Sequence, residues 1–416
     1  MPDQRLRQFL WGAVPVATLA LGCMPIFPPR MMVVIIAIWM TVLVVRAFLD
    51  PVPITSAMVR WCVFLALPFL LMLPDILRAP ELSIGWEHAE RSASLLLFPI
   101  GFLLLGAPAS RRFRGAMIDV FSLSAVLLAL YANIALIIFD VPPEVKALPG
   151  YAYSYRAVFS SVTSLHPPYA AYYFLAAALF QLTPAIDDRR ARAWRIAAML
   201  VLFIAALLLA SRMPLIAFVA ATIPVFVLRL SRRTAVVATI AMLLGSVALV
   251  AVAPSARLRV AEIFRSTVPP NSQSEVTSTN IRMPLAQCAL ESLREHWLLG
   301  TGQANAQPVL DDCYEQFNIP LLLDGSYGTH NQLLHWWLCF GLAGLTLFIV
   351  YFGALLRRAW RSRDAAHLGF LIFLLLCMAT ENLLVRQWGV VLFACFNALF
   401  IAVPKDEEGF SSRPLA

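Results

Sequence analysis

The residues of this chain best suited to chemistry stand where apolar runs begin or end. His330 lies in Tyr327-Gly328-Thr329-His330-Asn331, directly before a long apolar run, and Glu381 and Arg386 follow another. Arg212 sits in Leu207-Leu208-Leu209-Ala210-Ser211-Arg212-Met213-Pro214, where one or two residues separate two apolar runs. Arg282 opens a more polar stretch. A guanidinium at a dry boundary is costly unless it snorkels or grips an anion, and its planar fork suits a phosphate or carboxylate. Histidine ordinarily titrates near neutral pH, which suits a general base, and Asn331 beside it can orient a hydroxyl. The competing readings are an interfacial anchor for Arg212, a solvated helix charge for Arg282 and a hydrogen-bonded anchor for His330. His335 lies five residues on, off the His330 face, and is expected to be structural.

Other signals are bland. Asp311, Asp312 and Glu315 lack the glycine turn and ordered ligand series of a calcium loop and are expected to be a solvated cluster, so no metal site is assigned. There is no His-x-x-x-His pair, nucleophile elbow, phosphate-binding glycine loop or dinucleotide fingerprint, and neither ATP-driven chemistry nor a cofactor is expected. Of seven cysteines, Cys23, Cys62, Cys339, Cys377 and Cys395 fall in apolar runs as small fillers. Cys288 and Cys313 lie outside such runs, and their spacing leaves a disulfide and two free thiols equally open.

The elements that must position these residues are membrane helices. Hydrophobic residues make up 60% of the 416 and charged residues 13%, with a mean hydropathy of +0.77. That charged share is about half the ~25% usual in soluble domains, which excludes an ordinary soluble enzyme. Apolar runs occur near 9–27, 31–49, 58–77, 93–108, 116–139, 167–183, 195–211, 214–229, 234–253, 332–355, 365–380 and 388–403. The reading is an all-α polytopic membrane protein of about twelve transmembrane helices with one long outer loop containing short helices. The division is 1–253 for the first nine spans, 254–329 for the loop, 330–403 for the last three, and 404–416 for an inner tail. The first run continues to Phe27 without a small-x-small cleavage pattern and is read as an uncleaved span.

Orientation follows from arginine placement. The net charge is +8, and only Lys146 and Lys405 are lysines. With the N-terminus inside, 20 of the 32 basic residues fall on inner connections, and five of the other 12 lie in the long loop, which escapes the bias. The charge thus reflects topology, and no nucleic-acid partner is expected. Within the loop, Asn280 is expected to cap a helix in which Leu285, Ala289, Leu293 and Trp297 recur every fourth residue, ending at Gly300. That helix is expected either along the outer boundary or docked on the bundle. Tyr151, Tyr153 and Tyr155 suggest an interfacial aromatic belt, and Gly341 and Gly344 suggest close helix packing.

On these residues the chain resembles the bacterial lipopolysaccharide O-antigen ligase family, within the O-antigen ligase and polymerase superfamily. The resemblance covers most of the chain. It rests on Ser211-Arg212, on Arg282 with the later Trp297-Leu298-Leu299-Gly300-Thr301-Gly302, and on His330-Asn331 followed by Leu334 and the Gly341/Gly344 pair. Weaker parts are Arg156 with His166-Pro167, and Glu381. Ala157-Val158 after Arg156 departs from the small glycine often seen there.

The resemblance implies transfer of O-antigen glycan from undecaprenyl pyrophosphate to a hydroxyl of lipid A-core oligosaccharide, at the periplasmic face of the bacterial inner membrane. Arg212 and Arg282 would stabilise the diphosphate, and His330 would take the acceptor proton, with inversion and without metal or cofactor. Asn331, Arg156, His166, Glu381 and Arg386 would bind substrate. The expected partners are the lipid-linked donor, the lipid A-core acceptor and membrane lipids. An O-antigen polymerase or a protein O-oligosaccharyltransferase fits the same motifs. A lipid-linked-glycan flippase would instead place polar groups near mid-membrane in repeated halves, whereas here the distinctive charges lie at one rim.

Overall fold

The computed structural model describes residues 2–51, 53–106, 111–138, 151–183, 189–252, 270, 276–277 and 279–402. Among these, regular structure is helical throughout. The helices are α1 (Pro2–Ala20), α2 (Pro29–Leu49), α3 (Ser56–Met72), α4 (Leu82–Ser92), α5 (Ser94–Leu105), α6 (Arg111–Ile138), α7 (Tyr151–Thr163), α8 (Pro167–Gln181) and α9 (Arg189–Leu208). They continue with α10 (Arg212–Arg229), α11 (Arg232–Val252), α12 (Arg282–His296), α13 (Ala306–Tyr314), α14 (Pro320–Asp324), α15 (Gln332–Arg361), α16 (Ala365–Met378) and α17 (Gln387–Ala402).

Each apolar run of the sequence coincides with a helix, but length and hydropathy divide them. Among the described residues, five helices are long and apolar enough to cross a membrane, or six if α4 and α5, bent by 44°, form one span. α16 and α17, at 14 and 16 residues, are shorter. At 1.5 Å per residue they reach only about 21 and 24 Å, against about 30 Å of hydrocarbon. These two and α8 are buried on nearly every face, so they form the centre of the bundle and the other helices surround them. α10 packs on α16, α9 on α8, and α17 on α5. Phe121, Phe180, Phe370, Phe396 and Phe400 interlock in this centre, with Phe121 and Phe396 centroids 4.8 Å apart.

Polar residues gather at the two ends of the helices. At the end carrying Asp364, Arg114 makes a bidentate pair with it, 2.6 Å on each arm, both side chains being buried. Burial pushes the Asp364 carboxyl up, but the Arg114 hydrogen bonds and charge, with His367, outweigh it and hold it below its ordinary value. Arg46 is also buried there, donating to the Leu105 carbonyl at 2.9 Å and stacking over Trp11. The opposite end carries Arg212, Arg282, His330 and Glu381.

The described part of the 254–329 connection is a folded cap. α12 buries Leu285, Cys288, Ala289 and Leu293 against α13 and α15, so it docks on the bundle. Cys288 and Cys313 form a disulfide with Cα atoms 5.7 Å apart, joining α12 to α13. Asn280 is not the cap that its position suggested. Ile281 precedes the helix without a side-chain cap, and the Asn280 carboxamide oxygen accepts instead from the Thr277 amide at 2.7 Å.

Two further differences have local causes. Tyr155 is buried against Phe159 and donates to Asn133 at 3.3 Å, because α7 packs on α6 and α8, so it is no part of an interfacial belt. The side chains of Tyr151 and Tyr153 lie outside the described residues. Gly341 adopts φ +61° and breaks α15, and the segment after α12 fills the break. Thr301 and Gly302 amides donate to the Leu338 and Cys339 carbonyls at 2.8 and 2.9 Å, and Leu342 returns a bond to Leu298 at 3.0 Å. A Cβ at Gly341 would stand 2.2 Å from the Leu298 carbonyl oxygen. The glycines of the 297–302 stretch and of α15 thus make a backbone joint. Arg78 fixes it by donating to the Gly300 carbonyl, and Asp75 by accepting from the Gln303 amide.

Candidate active site

Local sequence places most of the candidates at helix starts, whereas Arg156 lies inside α7 and Glu381 in the loop after α16. His166 is the N-cap of α8, followed by Pro167 at the first helical position, where proline's missing N–H costs nothing. Arg212 and Arg282 are the first residues of α10 and α12. Asn331 caps α15 with its side-chain oxygen on the Leu334 amide at 3.0 Å, which leaves His330 one residue outside the helix. Arg386 directly precedes α17. Helix N-termini carry partial positive charge and unpaired N–H groups, so their grouping with two arginines favours an anion.

At the centre, His330 Nδ1 lies 3.3 Å from Glu381 Oε2, with side chains 23% and 19% exposed. The contact is within ion-pair distance but off line for a ring N–H hydrogen bond. Burial alone would raise the Glu381 carboxyl. The neighbouring His330 ring, then Arg282 and His166, outweigh that and hold it below its ordinary value, so it is a carboxylate at neutral pH. His330 has φ +46°, a left-handed conformation that a non-glycine residue keeps only where its surroundings impose it.

Those surroundings are three hydrogen bonds between the turn before α15 and the loop before α17. Thr329 donates to the Asn382 side-chain oxygen at 3.0 Å, Asn331 donates to the Ala379 carbonyl at 3.2 Å, and the Gln332 side-chain oxygen accepts from Leu384 at 2.7 Å. Thr329, Gln332 and Asn382 are buried. They set His330 against Glu381 from both sides, and sequence reading passed over all three. Their signal was a short polar residue beside each candidate in an otherwise apolar context.

The arginines approach from other elements. Arg212 donates to the Thr279 hydroxyl at 2.8 Å, three residues before Arg282, so one turn connects the two guanidiniums. Ala210, two residues before Arg212, is left-handed at φ +49°, which lets α9 reverse into α10 within three residues. Arg282 lies close enough to Glu381 for its charge to lower the carboxyl. His166 is exposed and its ring lies tilted beside Tyr169, 6.2 Å between centroids. Its pKa is lowered by partial desolvation, opposed by Glu381 and reinforced by Arg156, Arg386 and His330. Arg156 is half-buried on α7 and Arg386 is exposed.

The eight candidates thus fall at one end of the bundle, but not in equal roles. Asn331 spends both ends of its carboxamide on the backbone, and its visible work is to shape the His330 turn. His335 is buried inside α15 with its Nε2 3.6 Å from the Cys339 sulfur, away from that pair. Asp311 accepts from Gln307 at 2.7 Å, and no group of three His, Cys, Asp or Glu side chains able to hold a metal occurs among the described residues.

The arrangement offers a carboxylate-backed imidazole beside paired guanidiniums, able to accept a proton at one point and bind an anion at another. Residues 197–349 match the family model described as O-antigen ligase, a stretch that holds Arg212, Arg282 and His330 and supports membership of the O-antigen ligase and polymerase superfamily. No curated protein matches the chain.

Proposed function

Taking residues 197–349 as an O-antigen ligase segment, we propose that the chain transfers O-antigen glycan from undecaprenyl pyrophosphate to a hydroxyl of lipid A-core, at the periplasmic face of the inner membrane. The observation that carries this reading is the His330–Glu381 pair at the same helix ends as Arg212 and Arg282.

In the proposed reaction the acceptor oxygen bonds to the sugar C1 as the bond from C1 to the pyrophosphate oxygen breaks. The acceptor proton passes to His330, and the electron pair leaves on undecaprenyl pyrophosphate. Nδ1 faces Glu381, which leaves Nε2 as the atom for the proton, and the carboxylate stabilises the imidazolium that forms. Arg212 and Arg282 take up the charge on the diphosphate by bidentate contacts. Direct displacement inverts the anomeric centre. The donor is already activated and two guanidiniums meet its charge, so the proposal requires neither ATP nor a divalent cation.

Substrate access fits the short central helices. Because α16 and α17 reach less than the hydrocarbon thickness, the loop between them that carries Glu381 would lie below the outer lipid surface, within reach of a lipid-borne diphosphate. Reconstitution with a lipid-linked glycan and purified lipid A-core, with products resolved by mass, tests the reading. Glycan added to lipid A-core is expected. Longer lipid-linked glycan would mean a polymerase, and glycan moved across the bilayer without bond exchange would mean a transporter.

A further inference from the structure

At the far end of α15 from His330, a groove of about 840 Å³ opens between α3 and α15. Trp61, Ile349, Val350, Gly353 and Ala354 give it apolar walls, and Arg357, Arg358, Arg361 and Ser362 close one end. Val350, Ala354, Arg357, Arg358 and Arg361 recur at helical spacing, so apolar wall and charged end belong to one face. A Cβ at Gly353 would meet nothing within 4 Å, which leaves the floor open for a chain.

Among the described residues, no carboxylate forms an ion pair with these three arginines. Arg358 stacks over Trp61 at 4.4 Å and donates to the Ile401 carbonyl at 3.3 Å, so its position is set by apolar and backbone contacts. Asp364, the acidic group whose field reaches Arg358, is committed to Arg114 by two hydrogen bonds. Arg357 and Arg361 are exposed. Arg358 and Trp61 also line a second cavity of about 480 Å³ whose other walls are almost wholly apolar.

An open apolar groove ending in three guanidiniums fits an amphiphile with an anionic head. We propose that this groove is a binding site for an anionic phospholipid, its phosphate held by Arg357, Arg358 and Arg361 and one acyl chain lying along Val350 and Gly353. Basic pockets between membrane helices bind acidic lipids by this combination of head-group charge and acyl burial. The site is separate from the transfer site, because the part of α15 that continues unbroken from Gly341 to Arg361 alone spans roughly 30 Å at helical rise.

The test uses the purified full chain in neutral detergent, titrated with dioleoylphosphatidylglycerol, dioleoylphosphatidylcholine or inorganic phosphate, with retained lipid counted by native mass spectrometry. Saturable retention of phosphatidylglycerol but not phosphatidylcholine is expected. R357Q/R361Q, which spares the packed Arg358, should weaken it about thirtyfold, at roughly fivefold per guanidinium. G353L should weaken it with all charges intact, and R232Q/R233Q should not. Equal retention of both lipids, or unchanged retention in R357Q/R361Q, overturns the proposal. Inorganic phosphate that competes at millimolar concentration would make the site one for a free anion and overturn the lipid reading. The sequence continues beyond α17 with Asp406-Glu407-Glu408. If truncation after Ala402 is required before any lipid binds, the tail is the occupant and the proposal fails.

Discussion

His330 and Glu381 face each other at 3.3 Å although 51 positions separate them, and the carboxylate meets the ring through Nδ1. If that contact orients a base, His330→Ala should abolish transfer while leaving donor binding largely intact, and Glu381→Gln should lower turnover by roughly 10²- to 10⁴-fold. His335→Ala should cost much less turnover, since His335 lies inside α15. Single-turnover assays with separately measured donor binding check this. Equal loss at His330 and His335 would remove the general-base role.

Arg212 holds Thr279, and in the proposed reaction it meets the diphosphate as a fork rather than a point charge. Arg212→Lys and Arg282→Lys should therefore remain crippled, by about 10²-fold or more, at matched membrane abundance. Arg232→Lys, at an exposed site near the other end, is the control. Arg46 cannot serve, because it is buried and braces the end of α5. Near-normal transfer by Arg212→Lys would make that residue an interfacial anchor.

Transfer should persist in excess EDTA with purified components. Activity that vanishes and returns on adding Mg²⁺ or Mn²⁺ would bring Asp311, Asp312 and Glu315 back into consideration.

Placement of the arginine-rich connections inside predicts opposite accessibility for cysteines at Glu295 and Arg361, both exposed. In a variant lacking the five free cysteines but keeping the Cys288–Cys313 bridge, an impermeant thiol reagent should label the first from outside and the second only after permeabilisation. Reversed labelling would move the active face to the cytoplasm.

The Arg114–Asp364 pair gives a pH-dependent contribution to stability. The folded state lowers the Asp364 carboxyl, so its stabilisation is present above the unfolded value of about 3.9 and is lost as pH falls through the lower folded value. Asp364→Asn should cost about 3–5 kcal/mol by stranding the buried guanidinium, and should flatten the acid limb of thermal melting curves. A melting temperature unchanged by Asp364→Asn would show that the pair contributes nothing net.

Twelve of the helices were legible because each coincides with an apolar run, and α12 because its apolar residues recur every fourth position. α4 was missed because Glu87, His88, Glu90 and Arg91 dilute its hydropathy while Gly85 and Ala89 still pack inward. The grouping of Arg212, His330 and Glu381 followed from their places at the ends of apolar runs, whereas Arg282 lies within the long connection and is brought to them by the docking of α12. Their bracing was not. Thr329 with Asn382 and Gln332 with Leu384 are pairs about fifty residues apart, and no periodicity encodes them. The break at Gly341 was likewise hidden, because it depends on Leu298 entering from another segment.

The stitching of the His330 turn to the Glu381 loop has a consequence for biogenesis. Its three hydrogen bonds join residues 48 to 53 positions apart, so the turn lacks its partner until α16 and the loop after it have left the ribosome. A nascent chain that has inserted the arginines and the cap but not the last two helices should hold donor without using it. Co-expressed fragments 1–363 and 364–416 should regain activity only on association, whereas activity in the first fragment alone would show that the late loop is dispensable. Completion of the His330–Glu381 pair therefore waits on the loop between α16 and α17, well after α15 itself has been made.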